Sequence, residues 1–277
     1  MPEGDAIFRT ARTLNLVLAG RVVTRFDSVF PALTRVDVDA PLVGRTVERA
    51  WAQGKHLLIG FSGGLSLRTH MRMSGSWHVY RPGERWQRSR ADMRIAIETD
   101  AFVAVAFLVP VAEFLTDGAL PRARALRTLG PDLLGDAFDE AAAVASLRAR
   151  NALPLGEALL DQRAVAGIGN IYKSETCFVA GVNPFAPVSA LDDEQIRHLL
   201  TVARRLMTIN VSPRARSGIV TYRGLRPDGH SDPGARHWVY GRRGLPCRRC
   251  GSPVLARKQG LDARTTYWCE ECQGSRA

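Results

Sequence analysis

Residues 247–272 read CRRCGSPVLARKQGLDARTTYWCEEC, and this stretch determines the fold of the C-terminal end. It holds two Cys-x2-Cys pairs at a spacing that, in a reducing compartment, is typical of four thiolates around one structural zinc ion. Four thiolates complete a tetrahedral shell and leave no open position for catalysis. We therefore predict a zinc-ribbon hairpin held by Cys247, Cys250, Cys269 and Cys272. The hairpin could bind phosphates through its basic side chains, or it could bind another protein.

Excess positive charge is concentrated in the same part of the chain. The net charge is +11 over 277 residues, and residues 201–277 hold 15 of the 38 basic residues but 5 of the 27 acidic ones. This asymmetry favours a polyanion partner, most simply nucleic acid, over a merely solvated basic surface. Lys55, Lys173 and Lys258 are the only lysines, so a lysine is more informative here than an arginine.

The overall composition excludes several classes of protein. Hydrophobic residues make up 45% of the chain and charged residues 23%, values that are ordinary for a folded domain. The sequence contains no run of about 18 apolar residues, so it predicts no membrane span. The first residues are acidic where a signal peptide would be basic. We therefore expect a cytoplasmic protein with no membrane partner, which in a bacterium would associate with the nucleoid when it binds DNA.

The hydrophobic patterning predicts a strand-rich half followed by a helical half. Residues 3–20 have helical spacing, and residues 21–115 contain short strand-like runs, Val36-Asp37-Val38 among them. Helices are predicted near 141–150 and 192–209, and a loop over 212–236. We predict an N-terminal domain over 1–116, a linker over 117–135, a helical domain over 136–236 and the zinc hairpin over 237–277.

The N-terminus suggests a nucleophile. Removal of Met1 would expose Pro2 as a secondary amine, and α-amino groups have pKa values of about 7.7–8.0 against about 10.4 for lysine. Attack of a secondary amine on an aldehyde-like carbon gives an iminium ion that stays cationic and promotes elimination. Glu3 could move the protons. Many proteins begin Met-Pro, so this pattern alone is weak.

Three internal segments have the composition of turns that could contact nucleic acid. Gly54-Lys55-His56 predicts a hairpin that presents Lys55, which could otherwise be an ordinary surface lysine. Residues 70–75, HMRMSG, predict a turn whose methionines either wedge between bases or face the core. Residues 166–173, AGIGNIYK, predict a tight turn before a helix, whose amides and Asn170 could bind a phosphate.

Taken in order, these motifs resemble the formamidopyrimidine-DNA glycosylase/endonuclease VIII family over the whole chain. The resemblance implies an α+β protein with an N-terminal β-sandwich led by an α-helix, a helix–two-turn–helix domain and the zinc hairpin. It further implies a bifunctional DNA glycosylase and abasic-site lyase of base excision repair, acting as a monomer on double-stranded DNA that contains oxidised bases or abasic sites. Chemistry on a stacked base requires its extrusion from the helix, and extrusion requires a side chain that fills the gap.

The resemblance also assigns roles to residues of this sequence. It implies that Pro2 is the Schiff-base nucleophile, Glu3 the general acid and base, and Lys55 a catalytic phosphate contact. It implies that Met73 and Arg72 fill the gap left by the flipped nucleotide. The implied DNA-binding residues are His70, Arg72, Met73, Asn170, Lys173 and Arg264.

The opening Pro2-Glu3-Gly4 is closer to the endonuclease VIII branch, which favours oxidised pyrimidines. An 8-oxoguanine-preferring glycosylase and a non-catalytic zinc-finger DNA-binding protein are the alternatives. Many family members have a carboxylate where this chain has Ala6, and Asp5 lies one residue away. This departure bears on base removal and lesion preference more than on strand cleavage.

Overall fold

The computed structural model describes residues 2–212, 218–223 and 235–274. The chain divides into an N-terminal unit, residues 1–128, and a C-terminal unit, residues 129–277. Within the described residues, no helix has the length and apolar character that a membrane span requires.

The N-terminal unit starts with a helix and continues as an eight-stranded sandwich. Its α-helices are α1 (Gly4–Leu18), α2 (Pro31–Asp39) and α3 (Arg124–Arg127), and its strands are β1 (Val23–Ser28), β2 (Val47–Gln53), β3 (His56–Phe61), β4 (Leu65–His70), β5 (Ser76–Tyr80), β6 (Met93–Thr99), β7 (Val103–Phe107) and β8 (Val111–Thr116). Short 3-10 helices cover Arg90–Asp92 and Leu120–Arg122.

Two antiparallel sheets form the sandwich, with strand orders β1-β6-β7-β5 and β2-β3-β4-β8. Alternate residues of both sheets point into a shared core, which is the burial expected of two packed sheets. Helix α1 adds its apolar stripe to this core, since its side chains at helical spacing are buried there. The core includes Ile7, Leu14, Leu18, Ile59, Leu67, Ile95 and Ala106.

The C-terminal unit is helical and ends in a hairpin. Its α-helices are α4 (Glu140–Arg148), α5 (Leu155–Leu160), α6 (Asn170–Ala180), α7 (Asp193–Val211) and α8 (Glu270–Gln273), a 3-10 helix covers Val188–Ala190, and its strands are β9 (Leu255–Gln259) and β10 (Arg264–Trp268). Helix α7 begins at a capping box, in which Asp192 and Gln195 satisfy each other's backbone amides. Helices α4 to α7 share one apolar core.

The predicted α+β organisation is confirmed, but one local prediction is wrong. Residues 36–38 belong to helix α2, not to a strand. Pro31 starts this helix, and Leu33 and Val36 pack against the core from one face. Two short helices occupy part of the predicted linker, and the division between the units falls within it. Most of the predicted 212–236 loop lies outside the described residues.

Candidate active site and nucleic-acid interface

Two turns of the N-terminal unit emerge side by side at one edge of the sandwich. His56, the first residue of β3, pairs with His70, the last residue of β4. The hairpin loop 54–55 and the turn 71–75 therefore lie next to each other. We call this the site edge.

Helix α1 carries Pro2 and Glu3 towards the same edge. The helix runs antiparallel to β2, because Asn15 Oδ1 accepts from the Ala50 amide at 2.8 Å and the Gly20 amide donates to the Val47 carbonyl at 2.8 Å. From Asn15 back to Glu3 the helix rises about 18 Å. From Ala50 forward to residue 55 the strand extends about 17 Å. The N-terminus of α1 and the hairpin that follows β2 therefore lie at the same edge of the sandwich. Pro2 is partly exposed there, and Glu3 is buried.

The Lys55 hairpin has the geometry of a tight two-residue loop. Gly54 has a φ of +58°, a conformation that such loops require at their first position and that glycine adopts without strain. Lys55 follows it and is partly exposed. The loop therefore holds the lysine at the tip of two paired strands.

The 71–75 turn divides its two methionines between core and surface. Met71 is buried, whereas 58% of Met73 is exposed. Gly75 donates its amide to the Met71 carbonyl at 2.9 Å, and a Cβ at position 75 would lie 2.5 Å from that oxygen. Arg72 has a φ of +49°, a strained conformation that presents its side chain to solvent. The turn thus projects Arg72 and Met73 outward.

The backbone of the turn also fixes the chemistry of His70. Its Nδ1 accepts a hydrogen bond from the Arg72 amide at 3.1 Å, so the proton of the neutral ring is on Nε2. Burial, reinforced by the positive charges of Arg72, Lys55 and Arg68, lowers the pKa of His70 to about 4. At neutral pH His70 therefore offers an uncharged N–H donor.

A polar network that the sequence analysis missed lies behind His70. Arg68 donates to Glu113 Oε1 at 2.7 Å and to His56 Nδ1 at 2.8 Å. The rings of His56 and His70 make edge contact with centroids 4.9 Å apart. Burial, followed by repulsion from a protonated His70 and from Arg68, lowers the pKa of His56 to about 3. The proximity of His56 to Lys55 was visible in the sequence, but no sequence pattern pairs Arg68 with it.

The N-terminus of helix α6 is the counterpart feature of the C-terminal unit. Gly169 is its N-cap, and the first amides of an 11-residue helix favour an anion. Asn170 is mostly buried and donates through Nδ2 to the Thr265 carbonyl of the hairpin at 2.9 Å. Its Oδ1 has no hydrogen-bond partner among the described residues. Asn170 is thus fixed where the helix meets strand β10.

The four hairpin cysteines form one cluster. Their sulfur atoms all lie within 4.8 Å of one another, with Cys250 and Cys269 at 3.4 Å and Cys247 and Cys272 at 3.9 Å. Zn–S bonds of about 2.3 Å in a tetrahedron place sulfur atoms about 3.8 Å apart. The cluster therefore fits a tetrahedral metal ion, and no other described residue is needed to complete the shell.

Arg264 opens strand β10 and is partly exposed on the hairpin. Its Nε lies 4.0 Å from Asp262 Oδ2, a loose ion pair at the surface. An exposed ion pair of this length contributes little to stability. The DNA contact of Arg264 stays a prediction.

The DNA contact predicted for Lys173 is wrong. Lys173 is completely buried inside the C-terminal unit, and its Nζ donates to Thr266 Oγ1 at 2.6 Å. A buried ammonium tied to the hairpin cannot reach a phosphate outside. The scarcity of lysine did indicate a special position, but the position is internal.

Glu175 is a second buried charge that sequence reasoning missed. Its carboxylate accepts from the backbone amides of Trp238, Val239 and Tyr240 at 2.7–2.9 Å, and from the Thr221 hydroxyl. Several N–H donors of this kind stabilise a carboxylate inside a protein. Glu175 therefore fixes the start of the hairpin region on helix α6. No spacing in the sequence distinguishes it.

Comparison with known proteins identifies the family. Residues 1–108 match the formamidopyrimidine-DNA glycosylase N-terminal domain, and residues 129–221 match the formamidopyrimidine-DNA glycosylase H2TH domain. The chain is 42% identical to "Endonuclease 8 2" of Mycobacterium bovis over 99% of its length and 100% of that protein. The chain belongs to the formamidopyrimidine-DNA glycosylase/endonuclease VIII family.

Further matches locate the chain within this family. It is 38% identical to "DNA-(apurinic or apyrimidinic site) lyase Nei2" of Mycolicibacterium smegmatis, over 99% of both chains. Relatives named formamidopyrimidine-DNA glycosylase are 30–33% identical. This ranking agrees with the predicted endonuclease VIII branch.

The crystal structure of Lactococcus lactis formamidopyrimidine-DNA glycosylase bound to abasic-site DNA has a TM-score of 0.81 at 21% identity, covering 99% of this chain and 100% of that one. It has the same fold.

Proposed function

We propose that this family member excises oxidised pyrimidines from duplex DNA and then cleaves the abasic strand, with Pro2 as its nucleophile. The chain is a DNA glycosylase and abasic-site lyase of base excision repair, as its family membership and its full-length relatives establish. The observation that supports the residue assignment is the site edge. There the helix carrying Pro2 and Glu3 ends beside the Lys55 hairpin and the 71–75 turn.

The first step exchanges a base for an amine. Once Met1 is removed, the neutral Pro2 nitrogen attacks C1′ of the damaged nucleotide and the C1′–base bond breaks. The departing base takes a proton and the Pro2 nitrogen loses its own. The C1′–O4′ bond then breaks with transfer of a proton to O4′, which leaves an iminium ion at C1′. Glu3 is the proton donor, buried at the N-cap of α1 directly beside Pro2.

The second step breaks the strand. The iminium ion withdraws electrons, so a base removes the C2′ proton and the C3′–O bond breaks with the phosphate as leaving group. A second elimination at C5′ releases the other phosphate, and water hydrolyses the iminium to regenerate Pro2. Lys55 holds a phosphate beside the lesion and assists proton transfer at the leaving oxygen.

The remaining residues bind and open the duplex. His70 donates its Nε2–H to a backbone phosphate, and Arg72 and Met73 fill the gap left by the flipped nucleotide. In the C-terminal unit, the N-terminus of α6 with Asn170, and Arg264 on the hairpin, bind further phosphates. The protein acts as a monomer in the cytoplasm on chromosomal DNA.

Zinc is the metal that the cysteine cluster fits best. Four thiolates within 4.8 Å suit its tetrahedral preference, and a closed shell gives the ion a structural role. Cys247, Cys250, Cys269 and Cys272 would hold it and so fix the β9–β10 hairpin that carries Arg264.

The proposed preference for oxidised pyrimidines is supported by the similarity to relatives of the endonuclease VIII branch, and residue 6 bears on base removal and on this preference. Ala6 supplies no carboxylate, and Asp5 is turned inward, fully buried and 3.2 Å from Arg9. Preference for 8-oxoguanine is the alternative.

Excision and cleavage assays on one panel of duplexes separate these functions. Wild-type protein is expected to cut duplexes with an oxidised pyrimidine faster than duplexes with 8-oxoguanine, and borohydride is expected to trap a covalent adduct on an abasic site. Pro2→Gly should bind the abasic duplex but give no adduct. The reverse substrate order would assign the 8-oxoguanine preference, and equal trapping of Pro2→Gly would refute Pro2 as nucleophile.

A further inference from the structure

A second basic surface of the N-terminal unit has no part in the chemistry above. The segment 81–94, which connects β5 to β6, carries five arginines against Glu84 and Asp92. We call it the arginine segment. Arg85 and Arg88 lie at its centre, and both are exposed.

The arginine segment is ordered by its own aromatic contacts. Trp86 packs edge-on against Phe107 with ring centroids 5.7 Å apart, and the Gln87 amide donates to the Tyr80 hydroxyl at 3.1 Å. The Arg90 guanidinium lies over the Trp86 ring, 4.9 Å from its centroid. These contacts cover the outer face of the β1-β6-β7-β5 sheet, so the segment presents its charges on a fixed support.

The charges of Arg85 and Arg88 are not neutralised within the unit. Among the described residues, neither makes an ion pair with a carboxylate. Glu84 is the nearest acidic residue in sequence, and its carboxylate accepts the Arg81 amide at 2.9 Å. Unpaired, exposed guanidinium groups on an ordered surface are a complementary site for phosphates.

One end of the arginine segment reaches the site edge. The Leu108 amide donates to the Asp92 carbonyl at 2.8 Å, and Phe107 pairs with both Ser76 and Met93. Ser76 directly follows the 71–75 turn, so the turn and the end of the segment share this edge. The segment spans the length of β5, about 17 Å for five residues. At about 3.4 Å per base pair, that covers about five base pairs.

We propose that Arg85 and Arg88 bind backbone phosphates of the DNA duplex that flanks the lesion on one side. This inference rests on the proposed function, because it places the lesion at the site edge. The contact supplies affinity and orientation, not chemistry. It reads no base, since the arginines belong to a surface and not to an element that could enter a groove.

Binding to three duplexes of equal length tests the proposal. Each has about 24 base pairs and an uncleavable tetrahydrofuran abasic analogue, placed near the left end, at the centre or near the right end. An analogue near one end leaves a short duplex arm on one side and a long arm on the other. For the double variant Arg85→Ala/Arg88→Ala we expect about a tenfold rise in Kd on the duplex whose long arm lies on the side that the two arginines contact. On the duplex whose long arm lies on the opposite side we expect little change in Kd. The slope of log K against log salt should fall by about 1.8 for two lost phosphate contacts.

A matched control removes the same charge from other faces of the unit. Arg35→Ala/Arg49→Ala alters two exposed arginines outside the segment and should not show dependence on the long arm's side. Equal loss on all three duplexes, or none, would overturn the proposed contact. Borohydride trapping of wild type on a cleavable abasic duplex tests the function separately: if wild type traps and the double variant binds normally, only this inference fails. If wild type does not trap, the proposed function itself fails.

Discussion

His70 illustrates how one backbone contact sets the chemistry of a side chain. A cationic histidine would bind phosphate more strongly but would depend on pH. The Arg72 amide instead occupies Nδ1, and burial keeps the ring neutral. The donor at Nε2 is therefore constant across the neutral range. The His70 ring packs edge-on against the His56 ring, which accepts a hydrogen bond from Arg68. Arg68 in turn donates to Glu113.

The two histidines make stability depend on acid pH. Their pKa values, about 3 for His56 and about 4 for His70, lie below the unfolded value of about 6.5. The unfolded chain therefore takes up protons that the native chain does not, and the unfolding free energy falls as pH drops from 6.5 towards 4. A buried histidine contributes about 1.4 kcal/mol per pH unit, and the less buried His70 contributes less because solvent screens it.

Urea unfolding monitored from pH 7 to pH 4, with NMR of the histidine rings, measures this effect. His56→Gln and His70→Gln assign the ring signals. Both rings should remain neutral at pH 5. Titration of either ring near pH 6.5 would show that the burial described here does not hold in solution.

At the scale of elements, helix α6 and the cysteine hairpin act as one piece. Asn170, Lys173 and Ser174 each contact strand β10, through the Thr265 carbonyl, the Thr266 hydroxyl and the Tyr267 amide. The helix N-terminus proposed to bind phosphate and the hairpin carrying Arg264 therefore have a fixed spacing. Loss of these three contacts would weaken DNA binding by the N-terminus of α6 and by the hairpin.

The hydrogen bond between Lys173 and Thr266 predicts a specific loss of stability. Thr266 accepts from Lys173 and donates to Gln259 Oε1 at 2.7 Å. Thr266→Val keeps the shape but removes a partner of a buried ammonium, and we expect a loss of about 3 kcal/mol in the unfolding free energy. Thr265→Val, one residue away and partly exposed, should change it by less than about 0.5 kcal/mol. Equal values for both variants in denaturant melts would rule out this role for Thr266.

Local sequence predicted the elements whose signals are local. The Gly54 hairpin, the 71–75 turn, helix α7 and the cysteine cluster all appear as expected. Three residues of alternating pattern could not distinguish a strand from helix α2, because Pro31 and the buried face of Leu33 decide it. Lys173, Glu175 and Arg68 depend on partners 45–93 residues away, which no local spacing records.

At the scale of the whole molecule, the charge is distributed between two roles. Residues 201–277 carry 15 of the 38 basic residues and belong to the C-terminal unit, for which phosphate binding by α6 and the hairpin is proposed. The N-terminal unit carries the proposed chemistry at its site edge and a smaller basic surface in the arginine segment. Phosphate contacts are thus proposed on both units and the chemistry on the N-terminal unit alone, so a variant of the C-terminal unit can lose DNA affinity while the reacting residues stay intact.

The most direct test of the account is to locate the covalent bond. Borohydride reduces the iminium between the enzyme and an abasic duplex, and tryptic digestion then releases a peptide ending at Arg9. The sugar remnant is expected on the nitrogen of Pro2, in the peptide spanning residues 2–9, with Met1 absent. An adduct on Lys55 or another lysine, or a trapped protein that retains Met1, would contradict it.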